Sequence, residues 1–320
     1  MKWLVGVVIG FVAGFMGGWL WFNPPSLRPE KLPEATEEVI QPLLKFTIEN
    51  LGRRDYQSEI IVDEITASES GFFVQKFYFD SDGKKVTGLA HIPGGCDKCP
   101  VIVQIRGYAE PENYQSGYGT RRSAQKFAQA GFISLAPDFL GYGGSASPSA
   151  NIFEARFETY TTALNLLAAI EKWEKTESIA IWGHSNGGQI ALTVLEISGK
   201  DYPTVLWAPV SAPFPYSILY YIDETGDRGK LLRRELAKFE EDYDVEQYSL
   251  FNYLDRIAAP VLLQQGTADE SVPYKWNGEL AKKIKAEYME YAGADHNLIP
   301  HWSEVVQKDV EFFRGEGRKF

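Results

Sequence analysis

Two cysteines and four histidines in 320 residues leave little material for a disulfide scaffold, and no His-Glu-x-x-His pattern is present to hold a hydrolytic zinc. A metal is therefore not expected. The glycine-rich stretches contain neither a Gly-Lys-Ser/Thr ending nor a complete Gly-x-Gly-x-x-Gly opening a helix, so no nucleotide cofactor is implied. Basic residues are also scarce: 32 Lys and Arg against 43 Asp and Glu give a net charge of −11, with no basic patch, which argues against nucleic acid as a partner. Long apolar runs are limited to one, which excludes a multi-span membrane protein, while 44% apolar and 23% charged residues exclude a disordered chain.

The one long run is Trp3 to Phe22, 20 residues without a charge. At about 1.5 Å per residue it can cross a hydrocarbon core of about 30 Å. Residues 1–22 are therefore expected to form a transmembrane signal-anchor. A cleaved signal is the competing reading, but this run ends Trp19-Leu20-Trp21-Phe22-Asn23-Pro24-Pro25 instead of at small residues. Trp3, Trp19 and Trp21 suit the two headgroup levels. Lys2 on one flank is matched by Arg28 and Lys31 on the other, and the very short leading tail favours an extracytoplasmic location for the rest of the chain. Gly6, Gly10, Gly14 and Gly18 share one helix face and offer a surface for self-association, although glycine is common in such helices anyway. Residues 23–71 read as a proline-rich tether and N-terminal extension with a short helix around Glu37 to Leu51, and the folded region is expected from Phe72 onward.

From there, short β-rich runs alternate with longer helical stretches, the pattern of an α/β fold with a mostly parallel sheet covered by helices on both faces. Eight strands are expected: Phe73–Asp80, Lys85–Ile92, Val101–Arg106, Phe132–Ala136, Ser178–Trp182, Thr204–Ala208, Val261–Gln265 and Glu287–Tyr291. The first two meet at Ser81-Asp82-Gly83, a hairpin signal. Helices are expected over Arg121–Ala130, Phe153–Trp173 and Asn186–Ser198. Between about 209 and 256 the alternation lapses into an aromatic, then charged, helical insertion that reads as a lid. Its Glu240-Glu241-Asp242 run suits a solvated helix face, or alternatively a cationic end of a substrate.

The most specific signal is the apolar strand Ile179-Ala180-Ile181-Trp182 entering Gly183-His184-Ser185-Asn186-Gly187 and then a helix. A serine in so sharp a strand-to-helix turn needs small neighbours, and its hydroxyl is left exposed over the helix start. In this context the chain resembles the α/β-hydrolase superfamily. The resemblance implies Ser185 as nucleophile, activated by a histidine that an acid orients. His296, in the loop after the last strand, stands where the superfamily has its base, with His301 as the fallback. Asp269, in Gly266-Thr267-Ala268-Asp269-Glu270-Ser271-Val272-Pro273, matches its acid, with Glu270 and Asp295 as lesser alternatives. The order Ser185, Asp269, His296 is the superfamily's own. The oxyanion hole is expected from the amide of Asn186 and that of Tyr108, which follows Arg106-Gly107. Relatives usually have His-Gly-x there, so Arg106 is a departure, and whether the Tyr108 phenol contributes is left open. Asp138, in Asp138-Phe139-Leu140-Gly141-Tyr142-Gly143-Gly144-Ser145, is expected to tie its loop structurally. Cys96-Asp97-Lys98-Cys99 lacks the ligands for zinc and the helix of a redox motif, which leaves a local disulfide, in keeping with an external domain.

Over roughly Phe72 to Phe313 the chain is similar to the prolyl oligopeptidase-like branch of that superfamily. The resemblance implies a cofactor-free serine hydrolase of residues 72–320 cleaving an ester or short peptide through an acyl-enzyme. A peptidase is slightly favoured, and a carboxylesterase acting on small acyl esters is the alternative. Only about 70 residues precede this region, too few for the gating propeller of the larger peptidases. A fold that has lost its reaction and serves as a membrane-tethered binding module is a lesser alternative.

Overall fold

The computed structural model describes residues 41–222 and 226–316. The expected membrane span, the glycine stripe and the tether as far as residue 40 lie outside them, and among the described residues no helix is long and apolar enough to cross a membrane.

Nine strands form one sheet among the described residues: β1 (Ile61–Glu69), β2 (Phe72–Ser81), β3 (Lys84–Pro93), β4 (Cys99–Ile105), β5 (Ile133–Pro137), β6 (Thr176–His184), β7 (Thr204–Trp207), β8 (Val261–Gly266) and β9 (Glu287–Tyr291). Their order is β1-β2-β3-β5-β4-β6-β7-β8-β9. Pairing is antiparallel from β1 through β3 to β5 and parallel from there to β9. Asp82 and Gly83 both take positive φ at the β2–β3 turn, as a tight hairpin requires. The expected count of eight is corrected by β1, an edge strand whose residues are almost all exposed. With neither face buried, it lacks the alternation that marks a strand.

The central strands are buried on both sides. Val101, Val103 and Ile105 join one core cluster and Ile102 the other, and Leu206 and Leu263 are likewise separated from Val205 and Leu262. The first face is covered by α3 (Ile152–Lys172) and α4 (Asn186–Ser198), the second by α2 (Arg121–Gln129) and α8 (Trp302–Phe313). α7 (Tyr274–Ile284) adds Leu280 and Ala281 to the first.

The packed unit begins at Gln41, ahead of the expected Phe72. A 3-10 turn, Pro42–Phe46, leads into α1 (Ile48–Gly52), and Thr47 breaks the expected single helix by capping the second piece through its hydroxyl. Leu43, Phe46, Ile48 and Leu51 are buried in the first core cluster.

The insertion after β7 contains α5 (Tyr216–Leu219) and α6 (Lys230–Asp242), with the 3-10 turns Val245–Tyr248, Leu250–Asn252 and Leu254–Arg256 toward its end. Phe239 packs 4.8 Å from Phe153 and Tyr248 packs 4.9 Å from Phe157, ring centre to ring centre, so an aromatic cluster fastens it to α3. On α6 only Leu236 and Phe239 are buried; the acidic run Glu240 to Asp242 is a solvated face.

Candidate active site

β6 ends in the sharp turn that the sequence announces. Ser185 has φ 54° and ψ −122°, a strained conformation, and caps α4. The flanking glycines are sterically compelled. A Cβ on Gly183 would lie 2.8 Å from the Gly187 carbonyl oxygen, and one on Gly187 would lie 2.0 Å from that of Ile105. The turn is therefore wedged against the end of β4.

The loop after β8 presents Asp269, whose side chain is fully buried. Its Oδ1 accepts from the amides of Ser271 (2.8 Å) and Val272 (2.9 Å), and its Oδ2 from Gln265 Nε2 (2.9 Å). The same Oδ2 meets His296 Nδ1 at 2.9 Å. Burial by itself would raise this carboxyl, but the donors, His296 foremost, outweigh it and hold Asp269 below the usual carboxylate range. A carboxylate can only accept here, so Nδ1 carries the proton and the Nε2 lone pair of a neutral ring is left for proton transfer. Ser185 and His296 line one cavity of about 840 Å³ together with Asn186 and Tyr108.

Gly107 brings the loop after β4 close to the serine: a Cβ there would lie 3.0 Å from Ser185 Cβ. The Asn186 amide opens α4 and has no acceptor in its own helix. No backbone acceptor takes the Tyr108 amide among the described residues. The Tyr108 phenol donates to Glu110 Oε2 at 3.1 Å and is exposed. Arg106 stacks 4.0 Å from the centre of the Tyr142 ring and donates to the carbonyls of Gly107 (2.8 Å) and Asp138 (3.1 Å). The Gly107–Tyr108 peptide is trans, so its C=O and N–H point oppositely in one plane. By clamping the carbonyl, Arg106 sets the direction of the Tyr108 amide.

Among the alternative site residues, His301 sits at the start of α8 bonded to Glu304 and the Ala292 carbonyl. Asp295 accepts from the amides of Asn297 and Ile299, and Glu270 is exposed. Asp138 is buried and accepts from the hydroxyls of Thr87, Tyr114 and Ser116. Cys96 and Cys99 form a disulfide.

Sequence reading missed His184. Burial, followed by the nearby His296, lowers its pKa to about 4, so the ring is neutral. Its Nε2 is 3.0 Å from the His296 carbonyl oxygen and must be the donor. His296 is thus held by its ring from one side and by its backbone from the other. The elbow position of His184 carried no signal for this, because the partner lies 112 residues away.

Residues 118–314 match the model of the prolyl oligopeptidase family. The uncharacterized peptidase YtmA of Bacillus subtilis is 30% identical over 212 residues, covering 64% of this chain and 77% of that protein. An acetyl xylan esterase of Thermoanaerobacterium sp. superposes with a TM-score of 0.64 at 14% identity, over 85% of this chain and 94% of the other. The acetyl xylan esterase of Paenibacillus sp. R4 gives 0.64 at 18% identity, over 87% and 96%. At such identities the two esterases share the fold.

Proposed function

The chain belongs to the prolyl oligopeptidase family and is a serine hydrolase of α/β-hydrolase fold, and from that premise we propose that Ser185, His296 and Asp269 are its catalytic triad, with the amides of Asn186 and Tyr108 as oxyanion hole. The observation that carries this reading is the Asp269–His296 hydrogen bond beside a cavity that Ser185 shares. In the proposed cycle His296 takes the Ser185 proton as the hydroxyl attacks a carbonyl, then returns it to the leaving group. A water, activated in the same way, releases the acyl group.

For the substrate we favour a short peptide over a small acyl ester. The family assignment and the peptidase name of the Bacillus relative support this, while the two acetyl xylan esterases among the structural neighbours support the alternative. We also propose attachment to a membrane through residues 3–22 with the hydrolase domain on the outer side, a reading the Cys96–Cys99 disulfide supports.

The test is labelling by a fluorophosphonate probe. The native chain should be labelled and Ser185→Ala should not; equal labelling of both removes Ser185 as nucleophile. Asp269→Asn should keep the fold and lower kcat by about 10⁴-fold, because the amide no longer fixes the ring's tautomer. Comparing aminoacyl amides with acyl esters separates the two substrate classes: ester turnover without amide cleavage would reject the peptidase reading.

A further inference from the structure

The catalytic cavity contains a guanidinium that the proposed triad chemistry does not use. Arg156 lies in the first turns of α3, behind a start fixed by Asn151, whose side chain caps the amides of Phe153 and Glu154. It lines the cavity that holds Ser185. Its Nη2 donates to Gln189 Oε1 at 3.1 Å, and its Nε is buried without a partner. No carboxylate comes within ion-pairing distance of it among the described residues.

This placement runs against the self-interest of the fold. Gln189 stands one turn beyond Ser185 in α4, so the guanidinium is held beside the amino-terminal end of a helix, where the dipole is positive and a cation is disfavoured. Gln189 is itself buried, and its amide nitrogen is engaged by Tyr160 and Thr193, so the contact is a fixed one. A buried or half-buried cation ordinarily has an acid beside it. Among the described residues the one carboxylate lining the cavity, Glu110, accepts from Tyr108. Two positive influences, the guanidinium and the helix end, thus converge on one wall of the cavity, and among the described residues no carboxylate pairs with them.

The geometry points to Arg156 as a substrate anchor: the hydrolase acts on substrates that carry a carboxylate, which Arg156 binds in the wall of the cavity while the scissile carbonyl reaches Ser185. A planar fork of donors matches a carboxylate better than any neutral group. The carboxylate belongs either to the acyl portion, as in a half-ester of a dicarboxylic acid, or to the free C-terminus of a short peptide. The inference rests on the hydrolase reading above and refines its substrate class, turning from the cationic substrate end that the acidic lid residues suggest to an anionic one.

The experiment compares two matched pairs: the mono-4-nitrophenyl ester of glutaric acid with 4-nitrophenyl valerate, and a short peptide with a free C-terminus with its C-terminal amide. The native chain should prefer the anionic member of at least one pair, and the preference should shrink as salt is raised. Arg156→Gln should lower kcat/KM on that member by about 10- to 100-fold and leave the neutral member unchanged, the loss typical of a charge-assisted hydrogen bond. Arg156→Lys should restore part of it. Equal rates on both members of both pairs in the native chain, or an equal loss on both in Arg156→Gln with Arg156→Lys alike, would overturn the anchor. Calorimetric binding of glutarate, set against butyrate, needs no turnover. Glutarate binding that Arg156→Gln abolishes supports the anchor even if hydrolysis fails, whereas a Ser185→Ala variant that still turns over the neutral ester removes Ser185 as nucleophile and leaves the anchor standing.

Discussion

Arg106 departs from the family pattern in its side chain while leaving the proposed donor, the Tyr108 backbone amide, in place. The donor expected at this loop is a backbone amide, so the side chain at 106 matters through what it does to the peptide plane. Its two donors to the carbonyls of Gly107 and Asp138, and its stacking on Tyr142, make it a positioning residue. Lysine can supply one point donor but not a fork spanning two carbonyls. Arg106→Lys should therefore lower kcat on a simple 4-nitrophenyl ester by about tenfold, short of the 10²–10³ expected for deleting an oxyanion donor outright. KM should stay nearly constant, because the oxyanion forms only in the transition state. Steady-state kinetics check this split; a rise in KM with kcat unchanged would assign Arg106 to ground-state binding. The proposed triad of Ser185, Asp269 and His296 could be picked out as candidates because a strand-to-helix turn and two strand-end loops announce themselves locally. His184 and Arg156 were not, since what gives each its meaning is a neighbour distant in the chain: the His296 carbonyl for one, Gln189 for the other.

Among the elements, residues 41–52 do more than connect. Leu43, Phe46, Ile48 and Leu51 are buried, and the same stretch reaches the insertion: Tyr248 donates to the Leu43 carbonyl, the Leu43 amide donates to Tyr243, and Arg256 pairs with Glu49. Burying each of the four side chains contributes about 1.5–3 kcal/mol. Together they approach a domain's net stability of about 5–15 kcal/mol. A chain starting at Gln41 should unfold cooperatively on heating, whereas one starting at Phe72 should lose its cooperative transition, and Phe46→Ala should cost about 3–5 kcal/mol. Matching thermal midpoints for the two truncations would show the segment to be dispensable. The parallel strands were readable because burial on both faces leaves continuous apolar runs such as Val101-Ile102-Val103. The segment at 41–52 hid behind prolines and acids, since its few apolar side chains pack one by one and show no sustained period.

At the scale of the whole described fold, stability should depend on pH in a direction set by a buried acid on the face away from the nucleophile helix. Asp309, on α8, lies under β7 and β8 and accepts from Trp207 Nε1 (3.2 Å) and Gln264 Nε2 (2.6 Å). Burial dominates over these donors and pushes its carboxyl up to about 8. In the unfolded chain the group ionises near its ordinary value of about 4. Between those two values the folded state holds a proton that the unfolded state has released, so stability falls as pH rises; the contribution is complete below about pH 4 and gone above about pH 8. Glu196, also buried and raised by burial, tilts the profile the same way. Asp309→Asn keeps the shape and an acceptor oxygen for both donors but has nothing to ionise. Its thermal midpoint, taken relative to the native chain, should climb from pH 5 to pH 8. A difference that stays flat across that range would mean that Asp309 ionises in the folded protein near its ordinary value, with the buried pair of donors sufficient to carry the charge.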